Sequence, residues 1–153
     1  MSDIWWTAPT EAENGNTILV TGRDDVDRFR ASGKHVYRVE VTWRYDGGGM
    51  PGRAEAELME QATDALQAAL RRDKVAVMTG IYTGDGQRDW VFYTKSLPVF
   101  NTILNRALAD LPALPIVIEA YSDPDWAEYS EMRAATYIPP SVWGRGHSPC
   151  SLR

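Results

Sequence analysis

Thr83-Gly84-Asp85-Gly86-Gln87-Arg88-Asp89-Trp90-Val91-Phe92-Tyr93 reads as a hairpin: Gly84-Asp85-Gly86-Gln87 stands between two runs rich in β-branched and aromatic residues, Lys74 to Thr83 and Arg88 to Lys95. The two glycines supply the positive-φ backbone that a tight antiparallel turn needs. Strands joined this closely run antiparallel, because a parallel pair needs a crossover of a dozen or more residues. The sheet is therefore expected to be antiparallel.

Working outward, the apolar period switches between two and 3.6. From Tyr37 to Tyr45 the odd positions Tyr37, Val39, Val41, Trp43 and Tyr45 are apolar or aromatic, while Arg38, Glu40, Thr42 and Arg44 alternate with them, as a strand with one buried face requires. Pro51 and Gly52 then open a helix to Arg72, with Leu58, Met59, Ala62, Leu66, Ala69 and Leu70 on one stripe and Glu57, Glu60, Gln61, Asp64 and Gln67 on the remaining surface. After the hairpin, Ser96 can cap a helix that tolerates Pro98 in its first turn. Phe100, Ile103, Leu104, Ala107, Leu108 and Leu111 keep helical spacing until Pro112 and Pro115 stop it, and Ile116 to Tyr121 is a last strand.

Strand, helix, strand, strand, helix, strand is the split βαβ order of a ferredoxin-like α+β sandwich, with helices Arg53 to Arg72 and Leu97 to Leu111 on one face of the sheet. N-terminal additions are an edge strand at Thr17 to Thr21, a short helix at Asp25 to Ala31, and Trp5 and Trp6 covering a sheet edge. Residues 1–136 form one domain on this reading, and 137–153, rich in Pro and Gly without periodicity, form a loose tail on which Trp143 docks.

Size and composition narrow the function. A chain of 153 residues with 44% hydrophobic composition can bury a single core. The N-terminus has neither the basic start nor the apolar run of a signal peptide, no run is long enough to cross a bilayer, and Cys150 has no partner in the chain. A cytoplasmic protein held together without disulfides is expected. The net charge of −5 argues against nucleic acid or an anionic membrane and favours basic partners.

Each motif that hints at chemistry has a plainer reading. Gly47-Gly48-Gly49-Met50-Pro51-Gly52 spells the dinucleotide-binding G-x-G-x-x-G. That site needs a parallel sheet and backbone donors at the helix start, and Pro51 removes one donor, so a loop leading into a helix is the better reading. His35 borders a strand, and His147 and Cys150 lie in the tail, which leaves no triad and too few ligands for zinc. Asp123, Asp125 and Glu128 can hold a hard cation weakly. The simpler account is an Asp-Pro turn that sets Asp125 near the start of a short helix, where a carboxylate suits the unpaired N–H groups. Trp126 and Tyr129, three residues apart, are expected to anchor that turn to the sheet. The aromatic set Trp43, Tyr45, Tyr82, Trp90, Tyr93, Tyr121, Trp126 and Tyr129 invites comparison with RNA-recognition modules, but 21 acidic against 16 basic residues is the wrong charge for a stacking platform.

Gly49-Met50-Pro51 before the first long helix, the hairpin strand through Tyr93, and Asp123-Pro124-Asp125-Trp126-Ala127-Glu128-Tyr129 together resemble the bacterial family known as domain of unknown function 695. The resemblance covers about residues 15 to 130 and implies the fold but no reaction. It also implies kinship in style with the ribonuclease E regulator B type of small acidic ferredoxin-like protein, which inhibits its target by binding it. After Tyr129 the chain departs from the family's aromatic-Leu-Tyr-Pro close.

These readings converge on a non-catalytic protein-binding module, a regulator or a toxin-immunity type inhibitor, without a cofactor or bound metal. Glu57, Glu60 and Asp64 on the first long helix, Arg88 after the hairpin turn, and Asp123, Asp125 and Glu128 in the final turn, are the candidate partner-binding residues. The alternative is a small-molecule or enzymatic site near Arg88 and Asp123, with Arg88 clamping an anion. The plainer role for Arg88 is an ion pair with Asp85, Asp123 or Asp125 that ties the hairpin to the final turn.

Overall fold

The computed structural model describes residues 4–139. Their elements are β1 (Trp5–Glu11), β2 (Thr17–Arg23), α1 (Asp27–Ala31), β3 (Tyr37–Arg44), α2 (Arg53–Arg72), β4 (Ala76–Gly84), β5 (Gln87–Thr94), α3 (Leu97–Ala107), β6 (Ile116–Ser122) and α4 (Ala127–Thr136). The fold is α+β. One six-stranded sheet runs β1-β2-β4-β5-β3-β6, and every neighbouring pair in it is antiparallel.

The hairpin forms as its turn chemistry dictates. Asp85 and Gly86 sit at φ 53° and 86°, a two-residue connection with both positions left-handed. The Asp85 carboxylate accepts from Asn14 Nδ2 at 2.9 Å and Asn16 Nδ2 at 2.7 Å, which ties the β1–β2 turn to this one. Helix α3 begins as its sequence requires, with Ser96 Oγ accepting from the Val99 amide at 3.3 Å. It ends at Ala107, earlier than the apolar spacing to Leu111 suggests, because the chain tightens into turns through Leu108 to Leu111.

The long helices α2 and α3 share one face. Met59, Ala62, Leu66, Phe100, Ile103 and Leu104 pack there on Val39, Val41, Trp43, Met78, Trp90 and Phe92. The other face is covered too, which corrects the expectation of a one-sided sheet. A second core of Trp6, Val20, Val26, Val77, Val91, Tyr93, Trp126, Tyr129 and Met132 lies under α4. Four buried indoles make this possible because each N–H has an acceptor: Trp6 on Thr136 Oγ1, Trp43 on Glu55, Trp90 on Thr63 Oγ1, and Trp126 on the His35 carbonyl, at 2.8–2.9 Å.

The N-terminus needs a further correction. Trp5 and Trp6 belong to the edge strand β1, so β2 lies inside the sheet, and Trp6 is buried against Gly22 directly across the ladder. The domain limit at residue 136 falls at the end of α4, but Tyr137 already packs its ring on Trp6 at 5.1 Å. The expected docking of Trp143, and the remainder of the expected tail with His147 and Cys150, lie outside the described residues.

Candidate functional site

An irregularity in β4 decides what meets on the second face. Met78 pairs with Phe92 and Gly80 with Val91, so Thr79 is an extra residue and the strand's parity flips there. Ile81 and Thr83 then turn toward α2, whereas Gly80 and Tyr82 turn toward α4. Without the bulge, Tyr82 would lie beneath the long helices.

Tyr82 instead donates its hydroxyl to Glu128 Oε2, and Tyr93 donates to Asp123 Oδ2 at 2.8 Å. Arg38 reaches the same Asp123 oxygen at 2.8 Å and Glu40 at 2.8 Å. Asp123 Oδ1 accepts the Ala127 amide at 2.8 Å, so Asp123 is the cap of α4. The sequence had assigned that place to Asp125, which is exposed and contributes its carbonyl oxygen to Arg30 at 3.0 Å. Asp123 rather than Asp125 caps because the residue before the helix, Trp126, takes a left-handed φ of 56°, which swings the preceding Asp-Pro turn back over the first amides of α4.

The electrostatics follow from burial and partners. Burial and the nearby Glu128 carboxylate push the hydroxyls of Tyr82 and Tyr93 far above their ordinary range, so both stay protonated donors. Burial also raises Glu128, against the Tyr82 bond and the Arg38 charge that favour its ionised form. For Asp123 burial acts upward, but the Ala127 amide, the Tyr93 hydroxyl and the Arg38 guanidinium outweigh it and hold the carboxyl below its usual value. Shifted titrations often mark catalytic sites, but these groups bond chiefly to one another and to the start of α4, as in a structural ion-pair network.

Arg88 lies on the opposite face. Its Nε donates to Thr83 Oγ1 at 2.8 Å and a terminal nitrogen to Glu60 Oε2 at 3.0 Å, beside the Trp90 ring. Arg88 therefore ties the hairpin to α2 and not to Asp85, Asp123 or Asp125; the arginine that binds Asp123 is Arg38. Strand parity separates Arg88 from Asp123, so a single site built on both does not form. On α2, Glu57 pairs with Arg53 at 3.6 Å, Glu60 is engaged by Arg88, and Asp64 is exposed. Among the described residues, no three His, Cys, Asp or Glu side chains are grouped so as to hold a metal ion, and no helix is long and apolar enough to cross a membrane. His35 is buried beside Phe29, and burial lowers its pKa.

The most open element is β6. Among the described residues it pairs with β3 on one side only, and its outer edge meets no other strand. Val117 is 54% exposed, Ile118 41% and Tyr121 39%, with Arg38 stacked on the Tyr121 ring at 4.5 Å. Glu119 stands directly opposite Glu40, a like-charge pair across the ladder. Ile116 to Tyr121 is the last strand, as expected; nothing local in the letters Ile116-Val117-Ile118 indicates how exposed it is.

The family model described as "Family of unknown function (DUF695)" matches residues 5–132. No curated protein and no solved structure matches the chain.

Proposed function

The chain belongs to the family of unknown function DUF695, and from that premise we propose that it acts by binding a protein partner, as a regulator or a toxin-immunity type inhibitor, and not by turnover. The observation that carries this reading is the open edge of β6. A strand whose outer edge meets no other strand among the described residues, flanked by exposed Val117, Ile118 and Tyr121, is a template for an incoming extended segment. The Glu119–Glu40 opposition defines what that segment should carry: a Lys or Arg beside Glu119, between apolar residues. The overall acidity, at −5, also favours a basic partner.

We read β3-α2-β4-β5-α3-β6 as a ferredoxin-like split βαβ unit to which β1, β2, α1 and α4 are added. The order β4-β5-β3-β6, antiparallel throughout, and the packing of α2 and α3 in one layer support this. In such a unit β6 closes one end of the sheet, and the N-terminal strands extend the other.

The test is capture of a partner from native cells followed by titration with Glu119→Lys and Val117→Asp variants. Either substitution should weaken binding by about tenfold or more, and the wild-type association rate should fall as salt rises. Equal affinity for both variants would remove β6 as the docking edge. Substrate turnover by the purified chain would overturn the non-enzymatic reading.

A further inference from the structure

We propose that the hollow where α3 ends beside β6 is a specificity pocket for the incoming segment, and that it takes one large apolar side chain next in sequence to the basic residue beside Glu119. This deepens, and rests on, the reading of β6 as the docking edge. The hollow follows from how α3 stops. The Leu108 amide still bonds the Leu104 carbonyl at 3.1 Å, but the Leu111 amide then bonds the Leu108 carbonyl at 3.1 Å and the Ile116 amide that of Leu114 at 2.9 Å. The chain drops from helix to strand through tight turns, and Leu108, Leu111 and Leu114 are only half-buried on the rim of the main core. With no strand beyond β6 among the described residues, a hollow of about 320 Å³ opens there, its apolar wall being Leu104, Leu108, Leu111, Leu114, Ile116 and Ile118.

Strand register decides which residue of a docked segment reaches it. Ile116 stands opposite Trp43, Ile118 opposite Val41 and Ala120 opposite Val39, on the face under α2 and α3, while Glu119 opposite Glu40 and Tyr121 opposite Arg38 take the other face. A strand laid along β6 continues this alternation. Its basic residue beside Glu119 lies on the Tyr121 face, so the residues immediately before and after it lie on the α3 face, where the one beside Ile118 borders the hollow. Main-chain bonds at an edge give affinity, and pockets for alternate side chains give specificity. A leucine or phenylalanine in this place removes its own surface, and that of Ile118 and the half-buried leucines, from water. The occupant is a segment of a partner protein in which Lys or Arg adjoins a large apolar residue.

The plainer account is that a core thins out at its rim, since single exposed apolar residues are ordinary. It covers any one of these leucines. It does not explain why half-buried leucines from the end of α3 and from the turns after it meet exposed Ile118 around one hollow at a strand edge, and contiguous apolar surface of that kind marks interaction sites. A second copy of this chain is the poorer occupant. Its β6 would bring another Glu119 to a ladder that already sets Glu119 against Glu40, whereas a cation there relieves the opposition.

The experiment is an NMR titration of the full, isotope-labelled chain with four capped octapeptides. In the first, Thr-Ser-Leu-Lys-Leu-Thr-Ser-Thr, a leucine on each side of the lysine puts one beside Ile118 in either strand direction. Alanines replace both leucines in the second, the leucines move two residues from the lysine in the third, Thr-Leu-Ser-Lys-Ser-Leu-Thr-Thr, and glutamate replaces the lysine in the fourth. The first should bind with a Kd below about 1 mM, shift the Val117 to Tyr121 amides, and bind about tenfold or more tightly than each of the others. Ile118 is exposed and threonine keeps its β-branch, so Ile118→Thr should fold and should erase the advantage of the first peptide over the second. Equal binding of the first peptide and the second or third overturns the pocket and leaves the edge standing. Equal binding of the fourth overturns the placement beside Glu119 on which the register depends, and failure of all four to move the β6 amides at about 10 mM overturns pocket and edge together. Sedimentation of the free chain as a dimer that Ile118→Thr dissociates would give the hollow to a second copy and overturn the proposal.

Discussion

Trp126 holds a φ of 56°, a conformation that costs a residue with a Cβ about 1–2 kcal/mol. The surroundings offset it. The ring is 1% exposed, stacks on Tyr93 at 4.2 Å, and donates to the His35 carbonyl at 2.8 Å. Trp126→Ala keeps the Cβ, and so the strain, while losing the ring, and should lower stability by about 3–5 kcal/mol. An unchanged denaturation midpoint would show that the ring is no anchor. Gly22 is a second residue whose identity is fixed by contact. A Cβ there would lie 2.2 Å from the Trp6 ring, so Gly22→Ala should cost about 1–3 kcal/mol in urea unfolding. Gly49→Ala is the control: its Cβ meets nothing within 4 Å, and its stability should stay within about 0.5 kcal/mol of wild type.

Helix α4 depends on two carboxylates that respond to pH in opposite senses. Asp123 is held below its ordinary value of 3.8, so its contribution is present above that value and is lost as pH falls through the folded pKa. Glu128 is raised above its ordinary value of 4.5, so its contribution is complete below 4.5 and is lost as pH rises through the folded pKa. Glu128→Gln cannot ionise and still accepts from Tyr82. It should therefore gain on the wild type as pH goes from 4.5 toward 7, measured as the difference in urea midpoints. A difference that stays constant across that range would place Glu128 in an ordinary, solvated environment. The length of α4 was not legible in its letters, because Glu128, Ser130, Glu131 and Arg133 interrupt any apolar stripe; Tyr129, Met132 and Thr136 are buried only because a sheet face lies beneath them.

At the scale of the molecule, the two cores share the central strands β4 and β5, which contribute Met78, Trp90 and Phe92 to one and Val77, Val91 and Tyr93 to the other. They should unfold together. Leu66→Ala under α2 and Met132→Ala under α4 are each expected to cost about 2–5 kcal/mol while leaving one transition, coincident by tryptophan fluorescence and far-ultraviolet circular dichroism. Two separated transitions would show that the faces are independent. What the sequence alone determined was local: the Asp85-Gly86 turn, the alternation from Tyr37 to Tyr45, the stripe of α2 and the cap of α3 are written in consecutive residues, because turn chemistry and apolar period act within a few positions. The tertiary structure decided the rest. A one-residue bulge at Thr79 reverses the facing of Tyr82, and pairing order turns the apolar Ile116 to Ile118 into an exposed edge. Neither has a signature in adjacent letters, since which face a side chain takes and which edge stays open depend on strands distant in sequence.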